Sequence, residues 1–239
     1  MKRTFSYLFL LLLLASSVLA QQPAATPAPH AHHAPAAPAQ SADAIWADLM
    51  AGNARFVAGK THPGSSIARR KKLASGQHPQ TIVLACSDSR VSPELIFDQG
   101  LGDLFVIRAA GNVAGPVGLG SIEYAVEHVH STLLVVLGHQ KCGAVEAACS
   151  GDKMPSSNLE AIVDKINPAV TQAKTYAKPD DLIESAIKEN VHQSAKDVLA
   201  NSEILRDAVK AGNLTVIEAE YELDSGAVVR LNSPASGQN

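Results

Sequence analysis

The segment Thr81–Arg90, TIVLACSDSR, joins an apolar run directly to a cysteine, an aspartate and an arginine. Its first five residues, Thr81–Ala85, are apolar or β-branched, and a short uninterrupted run of this kind predicts a buried strand. Cys86 ends that strand, and Asp88 and Arg90 follow within four positions. In an open parallel sheet, functional sites form where strands deliver their carboxyl ends. The segment therefore predicts a strand and a functional group of side chains at its end.

Outward from this segment, strand-like apolar runs alternate with helical patterns. This rhythm predicts an α/β fold with a mainly parallel central sheet flanked by helices. The further strand-like runs are Leu104–Ile107 and Thr132–Leu137, and the helical patterns are Pro93–Phe97, Gly118–His128, Lys141–Ala148, Asn158–Tyr176, Asp181–Ala200 and Ser202–Ala211.

Both ends of this domain carry an additional element. Apolar residues within Ser41–Ala58 recur at spacings of three and four, which predicts an amphipathic N-terminal helical arm. The β-rich runs Leu214–Leu223 and Ala227–Leu231 flank a turn at Asp224–Gly226 and predict a C-terminal β extension, as a hairpin or an edge addition. Four consecutive cations at Arg69–Lys72 predict a solvated face, with binding to an acidic partner as the alternative.

The first twenty residues predict a cleaved secretory signal peptide, residues 1–20. Lys2 and Arg3 precede the apolar run Tyr7–Ala15, and Val18–Ala20 offers small residues at the positions that a signal peptidase reads. An uncleaved membrane anchor is the alternative, but the run is shorter than the ~20 residues that a membrane-spanning helix needs. The sequence therefore predicts an exported protein, periplasmic or secreted, with no membrane attachment after cleavage.

Residues 21–40 consist mostly of Ala, Pro, Gln and His and predict a disordered tether. His30, His32 and His33 could gather a metal ion, but a segment without a scaffold favours the plain linker. The folded domain is therefore expected at residues 41–239. A net charge of −3 gives this chain no general attraction to nucleic acid.

The chain has three cysteines, and the odd number in an exported protein needs an explanation. A Cys142–Cys149 disulfide with a spare Cys86 thiol is one possibility, and three inert buried thiols are another. A third is a metal site, because His139 follows a second predicted strand and Cys142 comes three residues later. One histidine and two cysteines are typical zinc ligands, and three protein ligands leave a fourth position open.

The pairing of CSDSR (86–90) with GHQKCG (138–143) resembles the β-class carbonic anhydrases. The segments LMAGNARFVAG, GDLFVIRAAGN and GSIEYAVEHV are also similar to that family, so the resemblance extends from about Ala44 to Leu231. It implies one zinc ion per chain, held by Cys86, His139 and Cys142. The implied activity is the reversible, zinc-dependent hydration of CO2 to bicarbonate and a proton.

The resemblance also implies that Asp88 and Arg90 form a catalytic dyad beside the metal. Zinc lowers the pKa of bound water from about 15.7 to about 7, so hydroxide is available at neutral pH to attack CO2. Asp88 can accept the hydrogen bond of that hydroxide, while Arg90 keeps Asp88 ionised and oriented through a bidentate pair. An ordinary salt bridge in a turn would be the interpretation if no cysteine preceded the pair.

Four further residues match pocket positions of the family. The resemblance implies that Gln77, Phe105 and Tyr124 line the substrate pocket, and that Gly143 supplies a backbone N–H at a helix start, where an anion is favoured. In the family these walls are shared across a dimer interface, with the N-terminal helix reaching over the neighbouring subunit. A homodimer, and possibly a tetramer, is therefore expected.

The family contains two pocket types. Members with an inhibitory, non-catalytic bicarbonate site have a tryptophan three residues and a glycine one residue before the first ligand. Val83 and Ala85 stand in those places here, which together with Gln77 resembles the plant-like, non-allosteric type.

Two rival functions use the same ligands. A hydrolase of CS2 or COS would differ mainly in the shape of its access channel, which the sequence does not reveal. A non-catalytic, zinc-stabilised module would have no use for a carboxylate and its orienting arginine beside an open metal position, so Asp88 and Arg90 favour an enzyme.

Overall fold

The computed structural model describes residues 40–62 and 64–232. The predicted signal peptide and the tether, apart from its last residue, lie outside the described residues, as do the three tether histidines. No helix in the described ranges is long and apolar enough to cross a membrane.

A five-stranded sheet in the order β2-β1-β3-β4-β5 forms the centre of the domain. The first four strands are parallel, and the last pairs antiparallel with β4. The α/β fold with a mainly parallel sheet and a C-terminal β extension is thus confirmed. The strands are β1 (Thr81–Ala85), β2 (Leu104–Arg108), β3 (Leu133–His139), β4 (Thr215–Tyr221) and β5 (Val228–Arg230).

The described residues also form eight α-helices. They are α1 (Ala42–Val57), α2 (Ile67–Leu73), α3 (Pro93–Ile96), α4 (Pro116–Glu127), α5 (Gly143–Ser150), α6 (Ser157–Ala173), α7 (Leu182–Ala200) and α8 (Glu203–Lys210). Two short 3-10 turns, Ala110–Asn112 and Pro179–Asp181, complete the described secondary structure.

The sheet is buried on both faces, because alternate residues of β1 and β3 belong to different apolar clusters. Val83 and Val135 pack on the face covered by α1, together with Ile45 and Phe97. Ile82, Leu84, Leu134 and Val136 pack on the opposite face against α4, α7 and α8. Continuous burial on both faces explains why β1 and β3 are apolar runs rather than alternating patterns.

The predicted N-terminal helix forms and packs on its own chain in this structure. Ser41 caps it by accepting a hydrogen bond from the backbone N–H of Ala44. Asn53, buried in α1, donates to the carbonyls of Ile96 and Gly226 and accepts from the backbone N–H of Val228. The side chain of Asn53 therefore ties α1 to the turn of the C-terminal hairpin.

The cationic run at Arg69–Lys72 belongs to α2, a helix that the apolar pattern did not predict. None of its residues is buried, which agrees with the predicted solvated face. Ser66 caps the helix, and Arg69 pairs with Asp103 and donates to the carbonyl of Leu101. Local capping and this ion pair, rather than an apolar stripe, therefore position α2.

Candidate metal centre

Neighbouring strands bring the three predicted ligands together at the carboxyl edge of the sheet. Cys86 directly follows β1, and His139 is the last residue of β3, which pairs with β1. Cys142 is the N-cap of α5, three residues after His139. The chain can turn so tightly there because Lys141 has a left-handed backbone with φ of 52°.

The donor atoms of Cys86, His139 and Cys142 lie within 4.8 Å of one another, and all three residues are buried. The two Sγ atoms are 4.0 Å apart, close to the ~3.8 Å separation of two sulfurs in a tetrahedron with zinc–sulfur bonds of ~2.3 Å. All three cysteines are free thiols in the described part of the chain, and Cys149 lies outside the ligand group. The predicted ligand set is therefore assembled in this structure without a disulfide.

The imidazole of His139 has the fixed orientation and the unpartnered nitrogen expected of a metal ligand. Its Nδ1 lies 2.8 Å from the carbonyl oxygen of Gln140, which fixes the orientation of the ring. Its Nε2 is fully buried and has no hydrogen-bond partner among the described residues. A buried nitrogen without a partner costs free energy, and a metal ion beside two thiols supplies the missing partner. The donor set thus fits zinc.

The two thiols ionise unequally. A hydrogen bond from Cys142 lowers the pKa of Cys86 to about 4, against the opposing effect of burial and with the help of His139 and two backbone N–H groups. The pKa of Cys142 is raised, first by its hydrogen bond to Cys86 and then by burial. For His139, burial opposes the charged form, but the neighbouring sulfur of Cys86, the carbonyl of Gln140 and the charge of Asp88 outweigh this and raise the pKa. Binding of a metal ion at this group would therefore release the protons that Cys142 and His139 hold.

Asp88 and Arg90 form the predicted pair beside these ligands. Arg90 donates from Nε to Oδ1 of Asp88 at 2.9 Å and from Nη2 to Oδ2 at 2.7 Å, and its backbone N–H also donates to Oδ1. These hydrogen bonds, led by those of the guanidinium, lower the pKa of Asp88. Oδ2 of Asp88 is 4.0 Å from Nε2 of His139. An ionised carboxylate thus lies next to the metal ligands.

Three hydrogen bonds that the sequence did not reveal hold this pair in place. Arg108 at the end of β2 donates to the carbonyl oxygen of Cys86 at 3.0 Å and to that of Asp88 at 2.7 Å. Arg90 also donates to the carbonyl oxygen of Lys141, whose left-handed backbone presents that oxygen. Because these acceptors are backbone atoms, the residue types in the sequence carry no sign of them.

A second contact network reaches the sulfur of Cys86. The backbone N–H of Gly111 donates to Sγ of Cys86 at 3.2 Å, and that of Asp88 donates at 3.4 Å. The carbonyl oxygen of Gly111 in turn accepts a 2.8 Å hydrogen bond from the side chain of Asn190 on α7. Nothing in the residue types of Gly111 or Asn190 indicates these contacts, although Gly111 lies in the segment GDLFVIRAAGN that shares the family resemblance.

Of the predicted pocket residues, only Gly143 lies at the metal group of its own chain. It begins α5, next to Cys142. A Cβ atom added to Gly143 would meet no atom of the described chain within 4 Å, so the space beside it is open. The backbone N–H groups of Ala144 and Val145, in the same first turn, favour the thiolate of Cys142.

Gln77, Phe105 and Tyr124 lie toward the opposite end of the sheet. Phe105 pairs with Ile82, four residues before Cys86, a distance of about 13 Å along a strand. Its ring centroid is 6.2 Å from that of Tyr124, which is 49% exposed. Gln77 precedes β1 and lines a surface cavity of about 770 Å³ with residues of α2. A single chain therefore does not bring these three side chains to its own metal group.

Comparison with known proteins agrees with this geometry. The family described as carbonic anhydrase matches residues 81–228. The carbonic anhydrase 2 of Mycobacterium tuberculosis is 40% identical over 192 residues, which cover 78% of this chain and 91% of that protein. The chain belongs to the β-carbonic anhydrase family. Zinc is the metal of that family, and the lyase activity of carbonic anhydrases follows from membership.

Solved β-carbonic anhydrases share the fold. The enzyme of Coccomyxa, solved with acetazolamide, has a TM-score of 0.62 at 27% identity and covers 82% of this chain and 86% of its own. A tetrameric enzyme from Sordaria macrospora has a TM-score of 0.63 at 25% identity. The match covers 79% of this chain and 98% of the Sordaria chain. These similarities confirm the fold class.

Proposed function

We propose that this protein hydrates CO2 reversibly to bicarbonate and a proton, with zinc held by Cys86, His139 and Cys142. The observation that carries the proposal is the convergence of three buried donor atoms beside an ionised Asp88. When bound, zinc lowers the pKa of a coordinated water molecule to about 7, which supplies a nucleophile for CO2 at neutral pH.

The side chains around this position hold and orient the reacting groups. Asp88, ionised through its pair with Arg90, accepts a hydrogen bond and so directs a lone pair of the nucleophilic oxygen toward CO2. Arg90 keeps the carboxylate turned toward itself and away from the metal position. Gly143 leaves open space at the start of α5, where backbone N–H groups favour the developing negative charge.

A CO2 hydration assay on protein of measured metal content tests the proposal. We expect about one zinc per chain and activity in proportion to zinc. Zinc-loaded protein that fails to hydrate CO2, or that hydrolyses CS2 or COS much faster, would refute it in favour of one of the rival functions.

We propose further that two copies of the chain complete each other's sites. Gln77, Phe105 and Tyr124 lie away from the metal group of their own chain, so a second copy must supply them if they line the substrate pocket. Tyr124 and Val117 on α4 are 49% and 86% exposed. Apolar side chains at such exposure are suited to an interface between subunits. A solved relative is tetrameric, so a pair of dimers fits the same proposal.

The pocket is proposed to be of the plant-like, non-allosteric type. Val83 and Ala85 replace the tryptophan and glycine of the other type, and both are fully buried in the sheet.

The protein is also proposed to be exported and cleaved after residue 20. The support is the sequence alone: a cationic start, a short apolar run and small residues before Gln21. N-terminal sequencing of the protein from a periplasmic or secreted fraction is expected to begin at Gln21, and a cytoplasmic protein that retains Met1 would contradict the proposal.

A further inference from the structure

Asn190 is a buried side chain that the catalytic proposal does not use. It lies on α7 and is 1% exposed. Its Nδ2 donates to the carbonyl oxygen of Gly111 at 2.8 Å and reaches Oδ1 of Asn112 at 3.4 Å, whereas its Oδ1 has no partner among the described residues. Burying a carboxamide whose oxygen has no partner costs free energy. Stability alone therefore does not account for an asparagine at position 190.

The backbone that Asn190 contacts is unusual. Gly111 and Asn112 are consecutive residues in the left-handed region, with φ of 69° and 47°. The left-handed backbone at Gly111 favours glycine, and a Cβ atom there would also lie 2.7 Å from the end of the Ile166 side chain and 3.3 Å from Ala144. The tight turn aims the N–H of Gly111 at the sulfur of Cys86.

Both backbone polar groups of Gly111 are hydrogen-bonded, the N–H to Cys86 and the carbonyl to Asn190. The sulfur accepts from the N–H of Gly111 at 3.2 Å, and the Asn190 amide donates to the carbonyl of the same residue. The two hydrogen bonds together fix the left-handed conformation. Without Asn190, the Gly111 carbonyl loses its buried side-chain partner, and the same peptide keeps the 3.0 Å hydrogen bond from the Asn112 N–H to the Ala109 carbonyl. The turn is then held less firmly, and the contact of the Gly111 N–H with the sulfur is expected to weaken.

We propose that Asn190 is a positioning residue for the metal centre: it maintains the Gly111 N–H···Sγ hydrogen bond and thereby sets how strongly Cys86 donates to bound zinc. The inference rests on the proposed zinc site. A thiolate that accepts hydrogen bonds gives less electron density to its metal and is held in one orientation. Asn190 therefore supports metal affinity by keeping the thiolate oriented, and the electrophilic character of the metal by limiting the donation of Cys86, without touching a ligand.

The test compares Asn190→Leu with a matched control, Ser194→Ala. Leucine has the branched shape of asparagine and is a good helix former, but it cannot donate to Gly111. Ser194 lies one turn further along α7, is also buried, and contacts Asn112 without contacting Gly111. Thermal unfolding of the metal-free proteins measures any general loss of stability, and Asn190→Ala serves if Asn190→Leu does not fold.

Two readouts follow the metal itself. Zinc affinity, measured by competition with a chelator, is expected to fall about 10- to 100-fold in Asn190→Leu and to stay near wild type in Ser194→Ala. With Co²⁺ in place of zinc, the thiolate-to-cobalt charge-transfer band is expected at longer wavelength in Asn190→Leu, because a thiolate that has lost a hydrogen bond is a stronger electron donor. A purely structural role would leave this band in place.

Wild-type zinc affinity and band position in Asn190→Leu would overturn the inference, as would equal changes in Ser194→Ala. A wild-type protein that binds no zinc, or shows no thiolate band with cobalt, would instead refute the metal site and with it the basis of this role.

Discussion

The two ends of the central sheet carry different parts of the proposed site and are built differently. At the carboxyl end, Cys86, His139 and Cys142 are at most 4% exposed, and backbone N–H groups and side chains hold them. At the opposite end, Tyr124 is half exposed and Gln77 borders a surface cavity. Here one chain assembles and orients all three metal ligands, whereas the proposed pocket walls are left for a partner to complete. The contrast indicates which variants act within a chain and which act between chains.

The largest expected effect comes from removing a ligand. Cys142→Ser replaces a thiolate by a hydroxyl that does not ionise at neutral pH, so the protein is expected to lose its zinc and its CO2 hydration together. Metal analysis and the hydration assay on the same sample provide the measurement.

Cys149→Ser is the matched control, because Cys149 lies on α5 but outside the ligand group. It should keep about one zinc per chain and the wild-type rate. Loss of metal in Cys149→Ser with retention in Cys142→Ser would show that the ligands are assigned wrongly.

Variants of the dyad are expected to have the next largest effect, with the metal still in place. Asp88→Asn removes the charged acceptor, and Arg90→Ala frees the carboxylate to turn onto the metal, so each should lower the rate by about 100-fold or more. Zinc content should stay near wild type, since neither side chain is a ligand. Wild-type rates in both variants would refute the proposed role of the pair.

The pH dependence of the wild-type rate follows from the same pair. Because the hydrogen bonds of Arg90 lower the pKa of Asp88, this carboxylate is already ionised at neutral pH and does not titrate as pH rises further. Activity should nevertheless climb between about pH 6 and pH 9, since the group that loses a proton there is the water acidified by zinc. A rate that falls over this range would contradict the assignment.

Mixed dimers test whether the two ends of the sheet meet across subunits. If Gln77 donates to the substrate as proposed, Gln77→Ala loses that hydrogen bond and should lower the rate about 10-fold, while Cys142→Ser is expected to be inactive. A heterodimer of the two variants has one native site, formed by the ligands of one chain and Gln77 of the other. Random pairing of co-expressed variants should then restore about a quarter of the wild-type rate.

If Gln77 instead served its own chain, the same mixture would show only the average of its parents, about a twentieth of the wild-type rate. A monomeric active protein in sedimentation analysis would contradict the shared site outright.

Much of the fold could be predicted from local patterns. Thr81–Ala85 and Leu133–His139 are apolar runs because both faces of these strands are covered, and the sequence shows that directly. The helix Ile67–Leu73 could not be predicted from apolar periodicity, because none of its residues is buried. A helix held by a cap and an ion pair with Asp103 leaves no such pattern.

The ligands and the dyad were predictable because cysteine, histidine and a nearby Asp–Arg pair carry recognisable chemistry. The residues that support them were not. Arg108 and Asn190 act on backbone carbonyls, and Asn190 lies 79 positions away from its acceptor, Gly111. Only the packing of α7 against the turn after β2 brings them together, and a single sequence does not specify that contact.

The smallest expected effect is that bicarbonate does not inhibit cooperatively. In the other pocket type a second bicarbonate binds near the position of Val83, but here Val83 and Ala85 are fully buried and packed in the core beside Val135. The nearby guanidinium of Arg108 donates to the carbonyls of Cys86 and Asp88, which holds it against the backbone of the strand end. Rates measured against bicarbonate should therefore follow a simple saturation curve, and Val83→Ala, which leaves room without supplying a donor, should keep that shape. A sigmoidal curve in the wild type, or a second bicarbonate bound beside Val83 in a crystal, would assign this chain to the allosteric type.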